Sequence, residues 1–148
     1  MEVKWIEYNG KKVLFSNYDG CKTSEEMINI LYKEVEILEQ QENKTLVIAN
    51  YNNSFGSNEY MSILKEMGKT VLSKKIEKTA TMGITGFKEA LFKSYIFFSG
   101  QKNVKLFYDK ESALDWLTED YKGDIRELLG LVTKVKRFSF QIILGVLS

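Results

Sequence analysis

Five residues, Thr45-Leu-Val-Ile-Ala49, constrain this chain more than any other stretch. The run is short, continuous and apolar, with no alternate polar position to face water. Such a run suits a central strand covered on both faces, as parallel strands usually are. What flanks it fits that reading. Upstream, Met27, Ile28, Leu31, Val35 and Leu38 recur at spacings of three and four and predict a helix ending near Gln41. Thr23 or Ser24 can cap it, and Glu25 and Glu26 suit the positive end of its dipole. Downstream, a polar loop over 50–57 leads to a helix from about Asn58 to Ile76, turning Met61, Leu64, Met67 or Gly68, Val71 and Leu72 inward.

The remaining elements follow the same logic. Residues 3–8 and 12–18 are β-rich runs on either side of Asn9-Gly10-Lys11. Asn-Gly accepts positive φ at both central positions of a type I′ turn, so the chain opens with a hairpin. Thr79–Ile84 reads as a strand, Phe87–Phe98 as a helix and Val104–Phe107 as a strand. Asp109 caps a helix over Glu111–Thr118 that buries Ala113, Leu114, Trp116 and Leu117. The order ββαβαβαβα predicts an α/β fold, a mostly parallel sheet with an N-terminal antiparallel hairpin. Residues 1–119 make one domain, and 120–148 form a C-terminal extension. That extension holds an amphipathic stretch (Ile125, Leu128, Leu129, Val132, Val135) and the most apolar window of the chain, 138–147. Left free, such a window aggregates, so homo-dimerisation through residues 125–147 is expected.

Composition narrows the function. Among 148 residues there is no histidine, no proline and one cysteine, Cys21. Histidine is the usual proton-transfer residue near neutral pH and the commonest metal ligand, so its absence disfavours most hydrolytic and metal chemistry. No CxxC exists for zinc or redox work, and no cofactor or metal is expected. Cys21 has Lys22 beside it and no histidine to activate it, which argues against a nucleophile there. The net charge of +1 gives no global pull toward nucleic acid or an anionic membrane. Its distribution is two-signed: residues 1–64 carry six lysines against ten acids, and residues 65–110 carry ten lysines against four acids. That pattern suits a protein partner. The N-terminus lacks a secretory apolar region, and no run approaches the ~20 apolar residues of a membrane helix, so a cytoplasmic location is expected.

Several pieces resemble a known family. Trp5-Ile-Glu-Tyr-Asn-Gly-Lys11, Val13-Leu-Phe-Ser-Asn-Tyr18, Met82-Gly-Ile-Thr-Gly-Phe87 and Leu106-Phe-Tyr-Asp-Lys-Glu-Ser-Ala-Leu-Asp-Trp-Leu117 look like the small bacterial STAS-like proteins called SpoIIAA-like. The resemblance covers about residues 2–119. It implies a STAS-like fold and a non-enzymatic, partner-binding role. Anti-anti-sigma factors of this type carry a phosphorylatable serine at the start of the helix after the central strand. Here that slot falls on Asn58, with Ser54 and Ser57 nearby and the family's Asp-Ser-Ser-Gly motif missing.

The candidate binding site is the loop Asn50, Tyr51, Asn53, Ser54, Phe55, Ser57 and Asn58, which leaves a central strand for a helix start. Ligands of open α/β sheets gather at such carboxyl ends, and Tyr51 and Phe55 would be exposed anchors. The plainer alternative is that Ser57 caps the helix and Phe55 packs as a staple against it. A candidate anion-binding turn is Gly83, Thr85 and Gly86 with Lys88 close by, against a plain tight turn capped by Thr85. Lys65, Lys69, Lys74, Lys75 and Lys78 could form a basic helix face, normally just a solvated one. Met61, Met67, Met82, Phe87, Leu91, Tyr95 and Phe98 could line a small-ligand or lipid pocket, although at helical spacing such residues are more often core.

Overall fold

The computed structural model describes residues 2–99 and 103–119. The sequence-derived stretch 124–136, the apolar window 138–147 and the dimerisation expected of 125–147 lie outside the described residues. Five strands, β1 (Glu2–Tyr8), β2 (Lys11–Asn17), β3 (Thr45–Asn50), β4 (Ile76–Met82) and β5 (Val104–Phe107), alternate with helices as the sequence predicts. The helices are α1 (Ser24–Glu39), α2 (Asn58–Met67), α3 (Ser73–Lys75), α4 (Phe87–Ser99) and α5 (Lys110–Thr118). A π-helical turn, Gly68–Leu72, joins α2 to α3 without a break. All belong to one compact unit ending at Thr118.

The sheet order is β1-β2-β3-β4-β5, with β1 antiparallel to β2 and every other pair parallel. The hairpin turn has Asn9 at φ 52° and Gly10 at φ 74°, the type I′ geometry that Asn-Gly permits. Right-handed crossovers between successive neighbours send their helices to the same face. Accordingly α1, α2 and α4 pack together on one face, over Leu14, Val47 and Ala49. After β5 the chain turns the other way, and α5 covers the opposite face through Ala113, Leu114 and Leu117, packed on Val13, Phe15, Leu46, Ile48, Ala80 and Met82. All six residues of β3 are buried, as the apolar run requires.

Two local signals act as expected. The Thr23 hydroxyl accepts from Glu26 N–H at 3.2 Å, and the Glu26 carboxylate accepts from Lys22 N–H at 2.6 Å, a reciprocal cap on α1. The Asp109 carboxylate accepts from Ser112 N–H at 2.7 Å, a bond that holds its pKa below the ordinary value. The boundary between α2 and β4 differs from the sequence expectation. A single helix to Ile76 gives way to the π turn at Gly68, beside which the Thr70 and Ser73 hydroxyls bond to the Glu66 and Lys69 carbonyls. Strand β4 then begins at Ile76, three residues before the expected Thr79, because Ile76 already pairs with Thr45, the register shifting before Lys78 pairs with Leu46. It ends at Met82 instead of Ile84, since Gly83 turns the chain with φ +77°. Trp116 is only half-buried, and Thr118 takes an inward position instead.

Candidate binding groove at the carboxyl ends of the strands

Strands β2, β3 and β4 end in one row, Asn17 beside Asn50 and Asn50 beside Met82. From that row the chain builds its loops by short polar bonds. The Asn17 side-chain oxygen accepts from Asn50 Nδ2 and from Asp19 N–H, both at 3.1 Å, and the Asn50 side-chain oxygen accepts from Asn52 N–H at 3.1 Å. Tyr51 N–H donates to the Met82 carbonyl at 2.8 Å, and Phe55 N–H to the Cys21 carbonyl at 2.8 Å. The Ser54 hydroxyl donates to the Tyr51 carbonyl at 2.7 Å. Asn53 holds φ 50°, a value asparagine tolerates, and reaches Asp19 at 3.3 Å. A Cβ at position 83 would stand 2.3 Å from Asn52 N, so glycine is what lets the two turns meet there.

The sequence-predicted residues therefore divide. Asn50, Tyr51 and Ser54 are buried, whereas Asn53, Phe55 and Asn58 are exposed and Ser57 is half-buried. The expectation of Tyr51 as an exposed anchor is wrong. Its ring stacks on Tyr18 with centroids 4.5 Å apart, meets Tyr60 edge-on, and its hydroxyl lies 2.7 Å from that of Tyr60. Burial raises the pKa of all three tyrosines. Ser57 does cap α2, its hydroxyl accepting from Tyr60 N–H at 3.0 Å.

Phe55 remains outward, 45% exposed, and it is not alone. Phe87 (79% exposed) and Leu91 (47%) on α4 share a groove with it, about 330 Å³ in volume. Its walls and floor include Met27, Tyr60, Met61, Ile84 and Phe92. The loop after β3 and the helix after β4 thus converge on one apolar depression. Lys88 crosses between them and donates its ammonium to the Ser54 carbonyl. That bond engages the Lys88 ammonium at the loop after β3. In the Gly83–Gly86 turn, Thr85 is exposed and makes no side-chain hydrogen bond among the described residues, and Gly86 holds φ +62°. The arrangement is a tight turn leading into α4.

The other candidates resolve differently. Met61, Phe87 and Leu91 line the groove, whereas Met82 faces the α5 side of the sheet. Tyr95 lines a second cavity behind Tyr51 and Phe92. The five lysines do not make one basic face. Lys75 donates to the Gln41 carbonyl at 2.9 Å, and Lys78 donates to the Trp116 carbonyl at 3.2 Å from the opposite side of the sheet. Cys21 is buried, and burial raises its thiol pKa, which suits packing and opposes thiolate chemistry. Among the described residues no group of three His, Cys, Asp or Glu could hold a metal. Among them, too, no helix is long and apolar enough to cross a membrane.

One residue escaped the sequence reading altogether. Glu34, 5% exposed, lies on the inward side of α1 and lines the second cavity, about 320 Å³, together with Tyr18 and Tyr51. Burial raises its carboxyl to about 7, against the pull of the Ser16 and Tyr18 hydroxyls. The signal was present: Glu34 stands three residues after Leu31 and four before Leu38, inside the apolar stripe. No protein-family model matches the chain, and comparisons with curated proteins and with solved structures find no match.

Proposed function

We infer that the chain is a non-enzymatic, cytoplasmic interaction module of STAS-like type that takes apolar side chains of a protein partner into the groove between the 50–58 loop and α4. The observation that carries this reading is the convergence of Phe55, Phe87 and Leu91, all exposed, on one apolar depression at the carboxyl ends of the strands. Exposed aromatic side chains around a pocket are the usual anchors of a protein interface, because their burial on binding contributes most of its energy. The bonds around Asn17, Asn50, Gly83 and Lys88 hold the depression in shape before a partner arrives, which lowers the ordering cost of binding. A non-catalytic role agrees with a chain that has no histidine and whose thiol is buried. The helix-start position corresponding to the family's phospho-acceptor is an exposed asparagine, Asn58, so the reading includes no phosphorylation switch.

A photoreactive residue placed at position 87 tests the reading. In cells it should cross-link to a protein, whereas the same residue at Tyr32, 47% exposed on α1, should not. Equal products from both positions, or capture that persists in a Leu91→Ser background, would discard the groove as the interface.

A groove of this volume also falls within the range of small-molecule sites, and its lining by Met27, Met61 and Phe92 favours an apolar ligand as the second reading. An adduct of defined mass on the native protein, removed by Leu91→Trp, would support the ligand over the protein partner. The apolar window 138–147 separately supports homo-dimerisation through residues 125–147. Deleting residues 121–148 should then turn a dimer into a monomer, and a monomer before and after deletion would end that proposal.

A further inference from the structure

The cavity around Glu34 is distinct from the groove, although Tyr51, Leu64 and Phe92 wall both. It lies beneath the π turn, which contributes Gly68, Lys69 and Leu72 to its lining. Such turns recur at functional sites because they push one residue out of the regular helical spacing. The apolar wall comprises Leu31, Leu64, Leu72 and Phe92, and the tyrosines Tyr18, Tyr51 and Tyr95 complete it on the sheet and α4 sides. Glu34 is the one carboxyl in the buried part, and no ion pair reaches it among the described residues. An acid stands where leucine would pack, with open volume beside it.

We propose that this cavity is a binding site for a small organic ammonium ion with an apolar body, its positive charge meeting the Glu34 carboxylate. The chemistry selects that class. An anionic ligand would face the Glu34 charge at low local dielectric, and a neutral one would leave the carboxyl as it is. An ammonium supplies the missing counter-charge, and tyrosine rings present it with electron-rich faces. Apolar walls of this extent accept an alkyl or aryl body. Lys65, Lys69 and Glu77 line the outer part and are exposed, so water and salt screen their effect on the buried end.

Binding is therefore tied to ionisation of Glu34. The groups around that carboxyl are the Ser16 hydroxyl from β2, the Tyr18 hydroxyl just after it, Tyr51 after β3, and Tyr95 from α4, with Lys65, Lys69 and Glu77 at the rim. Tyr18 and Tyr51 do not ionise near neutrality, both being raised by burial. Glu34 is then the group whose charge sets the affinity between acid and neutral pH.

Calorimetric titration of the full chain with phenethylamine, hexylamine and 3-phenylpropanoate tests the proposal. At pH 8 the amines should bind and the carboxylate should not. At pH 5 amine affinity should fall at least tenfold. Glu34→Gln should weaken amine binding at least tenfold at pH 8 and abolish the pH dependence, with an unchanged circular dichroism spectrum confirming the fold. Lys69→Glu, an exposed change that leaves the core alone, should raise amine affinity about twofold at low salt and lose that gain at high salt. Leu91→Ser should leave amine binding unaltered, which separates this site from the groove. No heat with either amine, equal binding of 3-phenylpropanoate, or wild-type affinity in Glu34→Gln would overturn the proposal.

Discussion

The two faces of one sheet are packed differently. Along β2, β3 and β4 successive side chains alternate, so the same strands supply both faces. Toward α5 they present Val13, Phe15, Leu46, Ile48, Ala80 and Met82, an apolar set closed by Ala113, Leu114 and Leu117. Toward α1, α2 and α4 they present Leu14, Val47 and Ala49, but also Ser16 and the tyrosines that follow, with Glu34 opposite and two cavities between the helices. A face filled with close-fitting aliphatic groups contributes stability. A face that keeps hydroxyls, a carboxyl and open volume gives some of that stability up, and on the function proposed above recognition is what it gains.

The largest expected effect lies on the α5 side. Ile48→Ala removes a fully buried side chain from β3 and should cost about 2–5 kcal/mol in urea unfolding, without altering binding at the groove. The next tests the opposite face. With the Glu34 carboxyl raised from 4.5 to about 7, the folded protein holds a proton that the unfolded chain has released. The stabilising contribution of the protonated group is thus full below pH 4.5 and disappears as pH rises through 7. Unfolding free energy should fall by about 3 kcal/mol over that interval from this group, and Glu34→Gln should remove the slope. A slope that survives in the variant would assign it elsewhere.

Gly83→Ala comes third. It demands φ +77° of a residue with a Cβ and drives that atom to 2.3 Å from Asn52 N, so a loss of about 2 kcal/mol is expected together with a disturbed groove. The smallest stability effect belongs to the groove rim. Leu91→Ser alters a side chain already 47% exposed and should change stability by less than about 0.5 kcal/mol, while removing partner binding. A large stability loss there would mean that the rim is core.

Much of the fold was legible in local pattern. The run from Thr45 to Ala49, the Asn9-Gly10 turn, and the caps at Thr23, Ser57 and Asp109 all rest on neighbours within four residues. What local pattern missed depends on residues far apart in the chain. Tyr51 looks like a loop aromatic until Tyr18, arriving from β2, stacks against it. Lys75 and Lys78 look like one basic surface until the π turn shifts the helix and β4 sends alternate side chains to opposite faces. The groove was half legible: the loop and the Phe87–Leu91 stretch were each singled out, but only the parallel pairing of β3 with β4 brings them together. Glu34 went unread because the α1 stripe was traced through its apolar members alone.

The most direct test of this division of labour measures stability and capture in the same variants. A photoreactive residue at position 87 reports capture, and urea midpoints report stability, in Ile48→Val and Leu91→Ser backgrounds. The account predicts that Ile48→Val loses about 1 kcal/mol and cross-links as the parent does, while Leu91→Ser keeps its midpoint and loses the cross-link. The reverse order, with capture following stability in both variants, would contradict it.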